Sequence, residues 1–201
     1  MSLCGFAGLY SRRRWAMGDE VDLLERAIGY TLGSLRLVSR ETLPRATPCR
    51  RWDLGDLLGH MDDSLLALSE AADIGVIALD PPSRSDPADL VGALRERACH
   101  LMGEWTSAGD AGTISVAGSP LAAGLVAGAG AVEVAVHGWD VARACDADRP
   151  IPRALARELL ELVPLFVSGA DRPSRFAAPV AVSPLAGPGD RLLAFLGRDP
   201  G

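Results

Sequence analysis

One segment of the chain combines carboxylate and imidazole side chains at the spacing of a metal site. Glu133 is the only polar side chain between Pro120 and Val136, His137 follows four residues later, and Asp140 follows at three more. Residues three or four apart share one face of a helix, with Cβ atoms about 5–6 Å apart. The three side chains therefore form one polar patch on a predicted helix that is otherwise apolar all round, and such a helix is normally buried.

A carboxylate on a buried helix needs a partner, because burying it alone costs several kcal/mol. Two interpretations of Glu133 are open at this point. It pairs with a buried arginine, either Arg143 or one from another helix, or it binds a divalent metal ion together with His137. The ExxxH spacing is common by chance, so this helix does not decide between them.

A second histidine lies on a different predicted helix. At about 100° per residue, His60 falls about 60° beyond Leu57, just outside the leucine stripe of its helix. It is either a partly exposed histidine bound to a carbonyl group or water, or a third ligand that faces Glu133 and His137. Two imidazoles and a carboxylate suit Zn²⁺, Ni²⁺ or Fe²⁺, and they leave coordination positions open for water or substrate.

The third histidine and its neighbour belong to neither group. His100 and Cys99 also fall outside the apolar stripe of their helix, and no recognisable motif surrounds them. We interpret both as solvated residues.

Helical periodicity, with cap residues at the expected places, predicts four or five helices that position these side chains. The first begins at Asp19 and ends before Pro44, the second is capped by Asp53 with Asp56 at the third position, the third is capped by Asp86, the fourth runs from Ser119 to about Ala144, and the fifth runs from Pro152 to about Val163. Residues 106–119 are predicted to be a loop or a short strand.

This pattern predicts an all-α fold, a four-helix up-and-down bundle with an extra helix and an irregular C-terminal tail. We expect residues 1–17 to be a flexible extension, residues 18–170 to form the bundle, and residues 171–201 to form a tail packed on it. Met17 fits the sequence as a start as well as Met1 does.

Composition limits the classes of partner. A net charge of −6 argues against a nucleic-acid or anionic-membrane surface, since both require clustered positive charge. The longest apolar run, from Pro120, is interrupted by Glu133 and is too short to span a bilayer. The four cysteines are far apart and form no CxxC pair, which fits a reducing cytoplasm.

Three stretches of the chain resemble a known family. Residues 47–60 (TPCRRWDLGDLLGH) resemble the motif around the first metal histidine of the mycothiol-dependent maleylpyruvate isomerase-like proteins, and residues 136–144 (VHGWDVARA) resemble their second histidine motif. Residues 192–200 (LLAFLGRDP) are similar to the tail of an actinobacterial subgroup. These proteins belong to the DinB/YfiT-like superfamily of four-helix bundles.

The resemblance implies that His60, Glu133 and His137 are the ligands of one divalent metal ion, with zinc favoured over nickel and iron. It also implies a low-molecular-weight thiol such as mycothiol, a small-molecule substrate and an enzyme related to thiol transferases or isomerases. Asp140 is then a candidate to orient His137 from behind. The isomerase that gives the family its name carries a further C-terminal domain, so its own reaction is not carried over.

Two further expectations concern class and assembly. A non-catalytic module that binds a metal or small ligand is the alternative to an enzyme. Bundles of this type often pair, which makes a homodimer compatible with the sequence.

Overall fold

A computed structural model of the protein describes residues 19–49, 52–77, 89–108, 112–172 and 175–201. The described residues are predominantly helical, with one small sheet, so the fold is broadly all-α as predicted. The helices are α1 (Asp19–Ser34), α2 (Leu54–Ile74), α3 (Leu90–Ala108), α4 (Ala123–Ala144), α5 (Arg153–Leu162) and α6 (Pro188–Phe195), and the strands are β1 (Val76–Ile77), β2 (Thr113–Val116) and β3 (Ser119–Ala122). The extension at 1–17 and the predicted cap at Asp86 lie outside the described residues.

Both ends of helix α2 are set by capping residues next to them in the sequence. The Asp53 carboxylate accepts a hydrogen bond from the backbone N–H of Asp56 at 2.8 Å, which satisfies a donor at the helix N-terminus. The helix ends at Gly75, whose φ of 67° is easily reached only by glycine. The predicted cap of the second helix is therefore confirmed.

The start of the fourth helix was predicted four residues too early. Residues Ser119–Ala122 form β3, which pairs antiparallel with β2, while β1 pairs parallel with β2 on its other side. Ala117 and Gly118 join β2 to β3 with φ values of 47° and 81°. Two consecutive positive φ angles are typical of the tight two-residue hairpin turn. Pro120 lies on the edge strand, where a missing N–H is tolerated.

The four longer helices pack against one another around a single apolar core. Helix α1 packs along α4, α2 packs against α3 and α4, and α1 also contacts α3. Gly138 permits the close approach of α1 to α4, because a Cβ atom there would lie 3.0 Å from the Cβ of Thr31. The Thr31 hydroxyl donates to the Val134 carbonyl at 2.8 Å in the same contact.

The segment after residue 171 contains a helix that the sequence analysis treated as part of an irregular tail. Helix α6 begins at Pro188 and buries Leu192 and Leu193 against α5. Its proline stands in the first turn, where the absent N–H costs nothing. None of the helices in the described ranges is both long enough and apolar enough to cross a bilayer.

Candidate metal centre

The three predicted ligands converge at one point between α2 and α4. The Nε2 atom of His60 lies 2.6 Å from Glu133 Oε1, and the Nε2 atom of His137 lies 3.1 Å from the same oxygen. The two imidazole rings are edge-on, with centroids 5.1 Å apart. One ligand atom from each residue lies within 4.8 Å of the others, which is the compactness that a single ion requires.

Small residues on α4 bring the two helices together. A Cβ atom at Gly130 would lie 2.8 Å from the Leu68 methyl groups of α2. Because glycine has no side chain, Leu68 packs directly against the α4 backbone at this point. Glu133 and His137 share one face of α4 because they are one turn apart. His60, two helical turns before Leu68 on α2, then reaches across to Glu133.

Asp140 contacts the side of the His137 ring that faces away from Glu133. The His137 Nδ1 atom lies 2.9 Å from Asp140 Oδ2, and this carboxylate is completely buried. An ionised carboxylate only accepts hydrogen bonds, so Nδ1 carries the proton in this pair and Nε2 is the atom that a metal would bind.

Arg198 also contacts this group, although no local pattern in the sequence predicts a role for it. Its Nη2 atom donates to Asp140 Oδ2 at 2.9 Å and to Cys49 Sγ at 3.1 Å. Cys49 is a free thiol that also lies 3.5 Å from Asp140. Cys49 and Arg198 both lie in the stretches that resemble the family, but no local pattern in the sequence predicts that their side chains are in contact.

Cys49, His137 and Asp140 form a second compact group of metal-ligating types. In that group a cation is already present, because the Arg198 guanidinium contacts both the sulfur and the carboxylate. This group therefore supports His137 on its Nδ1 side, and the candidate metal site lies at the other nitrogen of the ring.

The charges of the site reinforce one another. Burial alone raises the pKa of Glu133, but the adjacent His137 imidazolium and hydrogen bonds from both histidines hold that pKa well below its usual range. Burial lowers the pKa of His137, and Glu133 and Asp140 together raise it well above its ordinary value. Burial likewise opposes ionisation of Asp140, yet Arg198 and His137 keep its pKa below normal. The protein therefore holds ionised carboxylates on both sides of the His137 ring.

The site is open on one side. His60 and Glu133 keep 34% and 35% of their side-chain surface exposed, whereas His137 keeps 7%. The Trp52 ring lies 4.6 Å from the His60 ring, centroid to centroid, and both residues line a cavity of about 590 Å³. Among the three candidate ligands, His60 is the one that lines this cavity. A cavity of this volume accommodates a small organic molecule.

A scan of family models matches the mycothiol maleylpyruvate isomerase N-terminal domain over residues 24–142. The chain belongs to this family. The match includes the three converging residues and Asp140, and it stops before Arg198. No curated protein and no solved structure matches the chain.

The donor types, two imidazoles and a carboxylate, are ones that a divalent metal ion can take. Tetrahedral zinc binds imidazole nitrogen and carboxylate oxygen at about 2.0–2.2 Å, so its ligand atoms lie roughly 3.3–3.6 Å apart. The histidine nitrogens lie 2.6 and 3.1 Å from Glu133 Oε1, which are hydrogen-bond distances, so the three side chains would move apart by up to about 1 Å to coordinate an ion. The alternative of an arginine partner does not hold within the described part of the chain, where the ion pairs of Glu133 are with His60 and His137. Arg143 is exposed and lies over the Trp139 ring.

Proposed function

We propose that this protein binds one divalent metal ion through His60 Nε2, the Glu133 carboxylate and His137 Nε2. The convergence of these three atoms supports the proposal most directly. Two neutral nitrogens and one carboxylate favour Zn²⁺, with Ni²⁺ and Fe²⁺ as alternatives. Three protein ligands leave at least one coordination position for water or a small molecule.

We further propose that the metal centre serves thiol-dependent chemistry on a small molecule, as a transferase or isomerase-like enzyme. A bound divalent ion supplies Lewis acidity, which lowers the pKa of a thiol or water ligand by several units. The chain itself holds the ligands: Asp140 keeps the His137 ring oriented, and the exposed sides of His60 and Glu133 leave access. The cavity beside His60 and Trp52 offers room for the rest of the thiol or its adduct.

The packing of the helices that carry these residues supports a four-helix arrangement. Helix α4 packs on both α1 and α2, and α3 packs on α2 and α1, which closes a ring of four helices. We propose that this ring is a four-helix bundle, with the metal centre between α2 and α4. Its order is α1, α4, α2, α3, so helices that follow one another in the chain are not all neighbours, and the simple up-and-down order expected from the sequence does not hold.

Metal content tests the centre. After purification without chelators, the wild type should carry close to one metal ion per chain, while His60→Ala should carry less than roughly 0.2, given the tight binding expected of three ligands. His100→Ala is the matched control, because His100 is 75% exposed on α3 and pairs only with Glu104 among the contacts described. A wild-type content below roughly 0.2 contradicts the metal centre.

Catalysis requires a separate assay. The metal-loaded protein should transfer mycothiol to an electrophile faster than His137→Ala does, with product followed by loss of free thiol. Equal rates in a wild type that does bind metal would indicate a non-catalytic binding module instead.

A further inference from the structure

Arg198 occupies an unusual place for an arginine. Its side chain is only 10% exposed, and it contacts a completely buried carboxylate 58 residues away in the sequence. Buried charges are retained in proteins where they are paired and hydrogen-bonded, and this pair meets both conditions. The structural role of the Asp140–Arg198 pair can be read from the other contacts of Asp140.

Asp140 is shared between a candidate metal ligand and the arginine. Its Oδ2 atom accepts from His137 Nδ1 and from Arg198 Nη2, each at 2.9 Å, and its Oδ1 atom lies 3.4 Å from Arg198 Nε. The guanidinium thus contacts both oxygens and sets the plane of the carboxylate. The plane of the carboxylate in turn sets the direction of the His137 ring.

We propose that Arg198 is a positioning residue of the metal centre, which acts through Asp140 to hold His137 Nε2 on the ion. This inference rests on the proposed metal binding. It extends the site to a residue outside the family match, which ends at residue 142.

The backbone turn after α6 places the Arg198 side chain beside Asp140. The N–H of Arg198 donates to the Leu193 carbonyl at 2.9 Å, and Gly197 takes a φ of 81°. These are the features of a helix end that reverses the chain through a left-handed residue. A Cβ atom at Gly197 would lie 2.7 Å from the Cβ of Ala177, so only glycine allows the turn to pack there.

The contacts require an arginine and not merely a positive charge. Besides Asp140, the guanidinium donates to the Leu196 carbonyl through Nη1 at 3.1 Å and to Cys49 Sγ through Nη2. A planar fork makes these contacts at the same time, whereas a lysine ammonium offers a single point of charge. A lysine should therefore restore the charge next to Asp140 but not the fixed plane of the carboxylate.

Zinc affinity of the metal-free full chain tests the proposal, measured by competition with a chromophoric chelator. Arg198→Gln should bind Zn²⁺ about 10–100-fold more weakly than the wild type, as is typical when a partner behind a ligand is lost. Arg198→Lys should lie between the two. Arg191→Gln is the control, because Arg191 is an exposed arginine on α6 whose side chain donates to the Pro184 carbonyl, and the zinc affinity of this variant should stay within about twofold of the wild type.

A second readout separates positioning from general stabilisation. The visible spectrum of the Co²⁺-loaded protein reports ligand geometry, and we expect it to change in Arg198→Gln. A purely structural role would lower the unfolding midpoint while it left the spectrum and the zinc affinity unchanged. If Arg198→Gln does not fold, Arg198→Lys is judged by the same two measurements.

Two negative results have different meanings. A wild type without zinc affinity rejects the metal centre itself. A wild type that binds zinc, with an Arg198 variant that folds and matches it in affinity and Co²⁺ spectrum, rejects only the role of Arg198.

Discussion

Gly138 lies directly after a candidate metal ligand and at the closest approach of two helices, so its replacement is a stringent test of the packing. In Gly138→Ala the new Cβ atom would overlap the Thr31 hydroxyl and lie 3.0 Å from Thr31 Cβ and 3.1 Å from Thr31 Cα. The last of these is a backbone atom of α1, which a rotamer change does not move. Helix α1 must therefore shift away from α4.

The magnitude follows from three contributions. Extra volume in a packed interface costs about 1–3 kcal/mol. The shift also weakens the hydrogen bond from Thr31 to the Val134 carbonyl, a loss of about 1 kcal/mol. Alanine offsets about 1 kcal/mol of this, because it favours the helical conformation more than glycine does. We expect a net loss of about 1–3 kcal/mol in the free energy of unfolding.

Urea denaturation followed by circular dichroism measures this loss. Gly29→Ala is the matched control on α1, because a Cβ atom there meets nothing within 4 Å, and it should stabilise the protein by about 0.5–1 kcal/mol. Thr31→Ala removes the overlapping hydroxyl, so the double variant with Gly138→Ala should be less destabilised than the two single changes added together. A Gly138→Ala protein as stable as the wild type would refute the reasoning.

Three further measurements test other parts of the fold. Asp53→Ala removes the N-terminal cap of α2 and should cost about 0.5–2 kcal/mol in urea denaturation, whereas Asp53→Asn should cost less. Burial raises the pKa of Tyr30 to about 12, against the lowering effect of Arg149, so the neutral phenol is favoured in the folded state. Stability should therefore fall as the pH rises from about 10 to about 12, and thermal unfolding of Tyr30→Phe should show a smaller fall over that range. Trp105→Phe leaves the buried Leu68 carbonyl without the indole N–H that donates to it at 3.1 Å, and unfolding should become easier by about 1–3 kcal/mol; no change would contradict the bond.

Features encoded by residues close together in the sequence were predictable. Asp53 and Asp56 are three residues apart, and their spacing is enough to predict the cap of α2. The patch of Glu133, His137 and Asp140 follows from the period of a helix, and the structure has both side-chain contacts of His137 that this period implies. Their role as a metal centre stays a prediction until metal is measured.

Features that depend on tertiary packing were not predictable from local patterns. A serine followed by proline at Ser119 and Pro120 is typical of a helix start, but pairing with β2 outweighs that preference. His60 fell outside its apolar stripe, and only resemblance to the family placed it opposite Glu133. The contact of Arg198 with Asp140 depends on how α6 docks, which no short-range pattern in the sequence encodes.

The distance in sequence between Asp140 and Arg198 has a consequence for protein synthesis. A chain made from its N-terminus contains all three candidate ligands before Arg198 exists, and the 58 residues from Val141 to Arg198 take about 3 to 12 s to add at about 5–20 residues per second. During this interval His137 lacks its full support, so a nascent chain should hold a metal ion more weakly than the finished one. On the proposed metal binding, the capacity to retain the ion would therefore develop late in synthesis, after α6 has been made and has docked.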